Sequence, residues 1–437
     1  METFKNQFEK FYQSMTVKMV ILGFLGLLLL IPLEMVKEVI RERSAYADES
    51  RLEIGSLWAE SQTITGPVLN VPGKKVISDD GKFTTTTLHI LPETLNVDAT
   101  LNPEIRYRGI YETVVYESDV ALSGSFNLKG LTELDGFTYD WTSAYFTLGV
   151  SDNKGLKGDI KLVIDDVAID AEPGIIQADV FSRGISFPID LSGYTLSTFG
   201  KSFSIILGLR GSESMFVSPT GKTTRVNFNS SWASPSFIGN FLPADREVTE
   251  SGFTASWEVT HLNRSFPQAW TGGGQTPEND AFGTNLMLEV DHYKKSERSA
   301  KYGILFIMLT FFVLIIIEIR SSERIHIFYY ILVAFALILF FSLLSALSEH
   351  IGFSPAYLVS SAATIGLLTV FFRSLLKKSW VVLTVAGMLS VLYTFIFVLL
   401  ALKDYAYLAG NIGLFILLGI LMMLSSKFKL FAANSKN

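Results

Sequence analysis

The chain has 437 residues, no cysteine, 49% hydrophobic residues and a formal net charge of −6. Without cysteine there is no disulfide framework and no thiolate metal site. An acidic chain with no basic patch is also a poor partner for the phosphate backbone of nucleic acid.

Hydropathy divides the rest. Six apolar runs, one near the N-terminus and five in the last third, flank a long polar stretch. The first run, Met19–Val36, follows Lys5, Lys10 and Lys18. It is long enough for an α-helix to cross about 30 Å of hydrocarbon. Ala45-Tyr46-Ala47 resembles a small-residue cleavage site but lies beyond the charged stretch Lys37–Arg43, which favours an uncleaved anchor over a signal peptide. Glu34–Arg51 keeps helix-forming residues, so the first helix is expected to continue beyond Pro32 and past the membrane.

The next stretch, about 260 residues, holds no run of membrane length. It reads as β structure. Phe203, Ile205, Leu207 and Leu209 recur at every second position, the period of a half-buried strand. Ile160, Leu162 and Ile164 do the same, and Val167 and Ile169 resume after Asp165-Asp166. Thr84–Leu91 is rich in β-branched residues, and Val114, Tyr116, Val120 and Leu122 predict further strands. Pro72-Gly73, Asp80-Gly81 and Pro219-Thr220-Gly221 read as turns, and Trp270–Gly283 as a flexible loop. Short strands with Gly and Pro turns predict a sandwich-like arrangement, either one oversized sandwich or two β subdomains.

Five apolar runs follow: Tyr302–Ile319, Ile325–Leu347, Ala356–Phe372, Trp380–Leu402 and Leu408–Leu424. Arg320 and Arg324, then Arg373, Lys377 and Lys378, then Lys427, Lys429 and Lys436 mark one set of loops and the tail. The alternate loops are poor in positive charge. Positive residues stay cytoplasmic in short loops, so both termini are expected inside and the long domain outside. The expected division is a cytoplasmic N-terminus at 1–18, a first membrane helix at 19–40, a periplasmic β-rich domain at 41–300, a five-helix bundle at 301–426 and a cytoplasmic tail at 427–437. The fold class is an α+β membrane protein with six transmembrane helices, one plus five.

Little in the chain reads as catalytic chemistry. Gly200-Lys201-Ser202 and Gly221-Lys222-Thr223 copy the end of a phosphate-binding loop, but Thr195 and Phe216 stand where its first glycine belongs, so both read as surface turns. His89, His261, His292, His326 and His350 are scattered singly, with no metal-ligand spacing. No catalytic residue, metal or cofactor is expected. Glu318, near the cytoplasmic end of the second membrane helix, is either an intramembrane functional carboxylate or a side chain snorkelling to the interface. Glu349-His350 at the outer end of the third is either a proton-handling pair or a polar helix end. The deep parts of the five helices otherwise lack charge, which argues against ion-coupled transport.

Ser231–Trp257 is the densest stretch of the polar region: Trp232, Pro235, Phe237, Gly239, Phe241, Leu242 and Pro243 precede Arg246 and Trp257. Apolar and turn-forming residues interleave there, as in a structural plug or a binding lip. The block resembles the CreD family of bacterial inner-membrane proteins. So do Leu30-Ile31-Pro32-Leu33 with Ile40–Arg43, Gly66-Pro67-Val68, Gly109-Ile110-Tyr111 and Leu347–His350. The resemblance implies an inner-membrane protein of a two-component regulon, associated with envelope stress, colicin tolerance and β-lactam susceptibility. It supplies no catalytic position. The expected function is non-enzymatic, through contact of the periplasmic domain with a periplasmic or membrane protein or a cell-wall component, the lipid bilayer being the other partner. A YidC-like insertase or chaperone is the alternative by architecture. Against it stand the short loop Arg320–Arg324, where those insertases carry a long hairpin, and the lack of a deep arginine.

Overall fold

The computed structural model describes residues 15–76, 83–128, 137–194, 199–286, 288, 292–321, 325–376, 379–402 and scattered positions between 408 and 423. Two compact units divide the chain: Asp48–Glu289, and Met1–Ala47 with Val290–Asn437.

The second of these units is helical. Helices α1 (Met15–Leu28) and α2 (Leu30–Trp58) are separated only at Leu29, because Pro32 has no N–H to return to the Leu28 carbonyl. Beyond that break α2 runs on past the apolar segment, and Ala45-Tyr46-Ala47 lies within it. After the β unit come α3 (His292–Lys301), α4 (Gly303–Ser321), α5 (Ile327–Ile351), α6 (Phe353–Leu375) and α7 (Ser379–Ala401). Among the described residues, five segments are long and apolar enough to span a membrane: Val17–Trp58, His292–Glu318, Ile327–Ile351, Phe353–Leu375 and Ser379–Ala401. Of the sixth expected run, Leu408–Leu424, ten positions are described, and all ten are helical. Aromatic rings fill the space between helices. Tyr393 lies 4.8 Å from Phe306 and 4.6 Å from Phe340, and the Tyr357 hydroxyl donates to the Tyr393 carbonyl at 2.8 Å.

The other unit is built from β1 (Gln62–Val76), β2 (Phe83–Ile90), β3 (Thr94–Arg108), β4 (Tyr111–Asn127), β5 (Thr138–Tyr139), β6 (Tyr145–Val150), β7 (Leu156–Ile164), β8 (Val167–Asp170), β9 (Glu172–Pro173), β10 (Gly184–Pro188), β11 (Gly200–Ser212), β12 (Ser214–Val217), β13 (Thr223–Ser230), β14 (Pro235–Gly239), β15 (Asp245–Thr249), β16 (Gly252–Thr260), β17 (Ala269–Thr271) and β18 (Phe282–Leu286). One sheet runs β14-β18-β12-β1-β6-β10-β9, with β2, β5 and β17 joined through β1 and β2. The other runs β15-β16-β13-β3-β4-β11-β7-β8. Side chains of both sheets share one core, from Leu69, Phe146 and Phe282 of the first to Leu122, Leu207 and Trp257 of the second. The unit is therefore a single two-sheet sandwich.

The period-2 readings hold. Phe203, Ile205, Leu207 and Leu209 point into the core from β11, while Ile206 between them is 73% exposed. Asp165 and Asp166, at φ 47° and 65°, make the two-residue turn joining β7 to β8, with Ile164 opposite Val167. Two readings need correction. Pro72-Gly73 is not a turn but part of β1, opposite Thr87 and Thr86, and the Tyr139 ring lies over Gly73 where a β-carbon would sit 2.9 Å from it. Trp270–Gly283 is not a flexible loop as a whole. Trp270 is buried in β17, residues 277–280 form a 3-10 turn, and Gly283 sits in β18 against the Met215 carbonyl. Asp80-Gly81 lies outside the described residues.

Candidate functional site

Ser231–Trp257 leaves one sheet, enters the other and returns. After β13 the chain crosses to form β14, the last strand on its side of the first sheet, with Pro235 opposite Leu286 and Gly239 opposite Phe282. Gly239 takes φ 107°, and the Asn240 N–H donates to the Ala281 carbonyl at 3.1 Å, turning the chain away. Pro243 is half-buried in the crossing back, where the Ala244 N–H donates to Ser256 at 2.8 Å. There β15 becomes the outermost strand of the second sheet, with Arg246 opposite Ala255. One segment thus closes the same side of both sheets.

What holds it is an aromatic cluster. Trp257, 2% exposed, has its ring 5.3 Å from Phe228, 5.6 Å from Phe282 and 5.9 Å from Phe237, and Phe241 stands edge-on to Phe282 at 5.6 Å. These separations suit edge-to-face packing. The indole N–H of Trp257 donates to the Phe241 carbonyl at 3.2 Å, satisfying both groups. The half-buried Trp232 packs against the same core. On the outside, Arg246 lies over the Phe237 ring at 5.8 Å, and Ile238, Leu242 and Val248 are exposed, Leu242 to 72%. Inward residues of the block pack into the core, and Ile238, Leu242 and Val248 leave apolar side chains exposed.

The polar residues at the helix ends have partners of different kinds. Glu318 on α4 pairs with Lys18 on α1, both side chains only 12% exposed. Lys18 Nζ also donates to the Ile325 carbonyl at 2.5 Å and lies 5.0 Å over the Tyr330 ring, while the Tyr330 hydroxyl donates to Glu318 at 3.2 Å. Glu318 therefore sits in an ion pair between α4 and α1. Glu349 on α5 accepts from the Tyr293 hydroxyl of α3 at 3.0 Å, whereas His350 beside it is exposed. Gly200-Lys201-Ser202 opens β11 and Gly221-Lys222 precedes β13, so neither begins a helix as a phosphate-binding loop must. Among the described residues no group of three or more His, Asp or Glu side chains converges as a metal site would require.

Periodicity could not single out a polar cluster behind β2. His89, 1% exposed, meets Asn70 at 2.7 Å between His89 Nδ1 and Asn70 Oδ1, and its Nε2 faces Asp179 at 3.6 Å. Thr87 donates to Gln177 Oε1, and Gln177 Nε2 to Asp179, both at 2.6 Å. Burial lowers the proton affinity of the His89 ring below its ordinary value, and Asp179 opposes that shift in part. Burial also pushes the Tyr145 hydroxyl up to about 12.

Apolar helices and a two-sheet sandwich inserted after the first of them define an α+β membrane protein. Residues 14–430 match the family model described as inner membrane protein CreD. Inner membrane protein CreD of Escherichia coli (strain K12) is 31% identical over 360 residues, covering 80% of this chain and 79% of that one. The chain belongs to the CreD family of inner membrane proteins.

Proposed function

We propose that this is a non-enzymatic envelope-stress protein of a two-component regulon that spans the inner membrane with both termini in the cytoplasm and acts through a periplasmic β sandwich. The sidedness is supported by the charge of the short loops, where lysine and arginine alternate with charge-poor connections. The observation that carries the functional reading is the two-sided Ser231–Trp257 block. Its inner aromatics fix it to both sheets, and Ile238, Leu242 and Val248 remain outside beside Arg246. Exposed apolar side chains on the last strands of both sheets, with Arg246 among them, suit docking of a periplasmic or membrane protein or a cell-wall component.

The test replaces Leu242 and Val248 by serine and scores colicin tolerance and β-lactam susceptibility in cells producing each variant at wild-type level. Loss of the phenotype with an unchanged melting temperature is the expected result. Full phenotype from the double variant overturns the reading.

A further inference from the structure

The hydrogen bonds around His89 fix which of its nitrogens carries a proton. Asn70 Nδ2 donates to the Thr147 hydroxyl at 2.8 Å and to the Val68 carbonyl at 3.0 Å, with the Tyr145 carbonyl at 3.4 Å. Those carbonyls cannot face an amide oxygen, so Asn70 Oδ1 must point at His89, and His89 Nδ1 must donate to it. In the neutral ring Nε2 is then a bare lone pair. It is buried without a hydrogen bond, and the Asp179 carboxylate stands 3.6 Å away.

Asp179 is held there by its own segment. Residues 174–183 join β9 to β10, and the adjacent Val180 and Phe181 are buried in a small cluster with Val68, Leu91, Phe266 and Trp270. The Trp270 ring lies 5.5 Å from the imidazole. Of the other groups around the ring, Asn70 on β1 and Trp270 on β17 carry no charge, and Tyr145 on β6 keeps its proton at neutral pH. Lys74 and Lys75, farther along β1, lie over the Phe83 and Phe137 rings. Among the described residues Asp179 is the charged group facing His89.

We infer that the enclosed His89 ring makes the seating of the 174–183 segment on β2 acid-sensitive: the Thr87–Gln177 hydrogen bond and buried Val180 and Phe181 hold the segment at neutral pH, and protonation of His89 favours its release. A proton reaching the 1%-exposed ring puts charge into a site closed to water, while a ring opened to water takes the proton freely. Linkage then requires acid to favour the opened segment. Asp179 tempers the response by offering the proton a counter-charge. This inference does not depend on the docking role of the Ser231–Trp257 block, which lies on other strands.

The experiment uses the full chain in detergent micelles, with the histidine Cε1–H resonances followed by NMR between about pH 4 and pH 8. Hydrogen exchange of residues 174–183, corrected for the intrinsic rate, is measured over the same range. The chain has five histidines. The resonance missing in His89→Gln identifies the ring, and its displacement in Trp270→Phe identifies it independently if His89→Gln does not fold. The expected midpoint lies below about 6.5, with exchange of the segment rising severalfold on acidification. Asp179→Asn lowers the midpoint further, by about one pH unit. Where His89→Gln folds, the acid-dependent exchange disappears in it. A midpoint at or above the ordinary histidine value overturns the inference. So does exchange that ignores pH, or an Asp179→Asn midpoint equal to that of the wild type.

Discussion

Replacing Trp257 by alanine tests whether the Ser231–Trp257 block is held from inside. The indole is 2% exposed, packs three rings within 6 Å and makes the one hydrogen bond described for it, to the Phe241 carbonyl. Truncating a buried tryptophan costs about 3–5 kcal/mol, and leaving a buried carbonyl without its donor adds about 1 kcal/mol. For a unit of this size 1 kcal/mol moves the melting temperature by about 2–4 °C, so Trp257→Ala should lower it by about 8–24 °C. Trp257→Phe keeps a ring against Phe228 and Phe282 but loses the hydrogen bond, and should fall by about 2–8 °C. Near-ultraviolet circular dichroism of the full chain in detergent reads both. An alanine variant melting within about 2 °C of the wild type refutes the account, because nothing else described ties β14 and β15 to one core as directly.

The Lys18–Glu318 pair makes a separate prediction. Lys18→Met or Glu318→Gln alone leaves a buried charge without its partner and should cost about 3–5 kcal/mol, while the double substitution recovers most of that. Unfolding by SDS titration measures the coupling, and a double variant no better than the sum of the singles rules the pair out as a joint between α1 and α4. In β18, Gly283→Ala would place a β-carbon 2.0 Å from the Met215 carbonyl oxygen, so the variant should lose about 2–4 kcal/mol. Gly274→Ala, with open space around it but φ 104°, should cost only about 1 kcal/mol. Equal melting temperatures for these two variants would show that β12 and β18 do not approach so closely.

Local pattern carried the sequence reading wherever one face of an element is buried. The alternation at Phe203–Leu209 and the break at Asp165-Asp166 are visible because each residue's burial follows from its parity in the strand. Pro72-Gly73 misled because its glycine lies inside a strand, and Trp270–Gly283 because strands occupy its two ends, although Gly272 and Gly274 between them do supply positive backbone angles. Glycine marks a turn when it supplies a backbone angle, but it marks a sheet interior when it admits a neighbour, and sequence alone does not separate the two. Gly73 admits Tyr139, and Gly283 admits the backbone of β12. The Ser231–Trp257 block was legible as dense and aromatic, but its passage between two sheets depends on β18, which comes later in the chain. Lys18 was legible only as a topological charge. Its partner carboxylate is 300 positions away, beyond any local spacing.

That separation has a consequence for how the protein is made. Lys18 leaves the ribosome long before Glu318 exists. At about 5–20 residues per second the intervening 300 positions take roughly 15–60 s to synthesise. During that time α1 must reside in the bilayer as a solitary helix, its ammonium served by headgroups and water. Docking becomes possible only once α4 arrives with the carboxylate, and the whole β unit has already been synthesised by then. The ion pair therefore closes a loop in time as well as in space, a late clasp between α1 and a bundle that could not greet it.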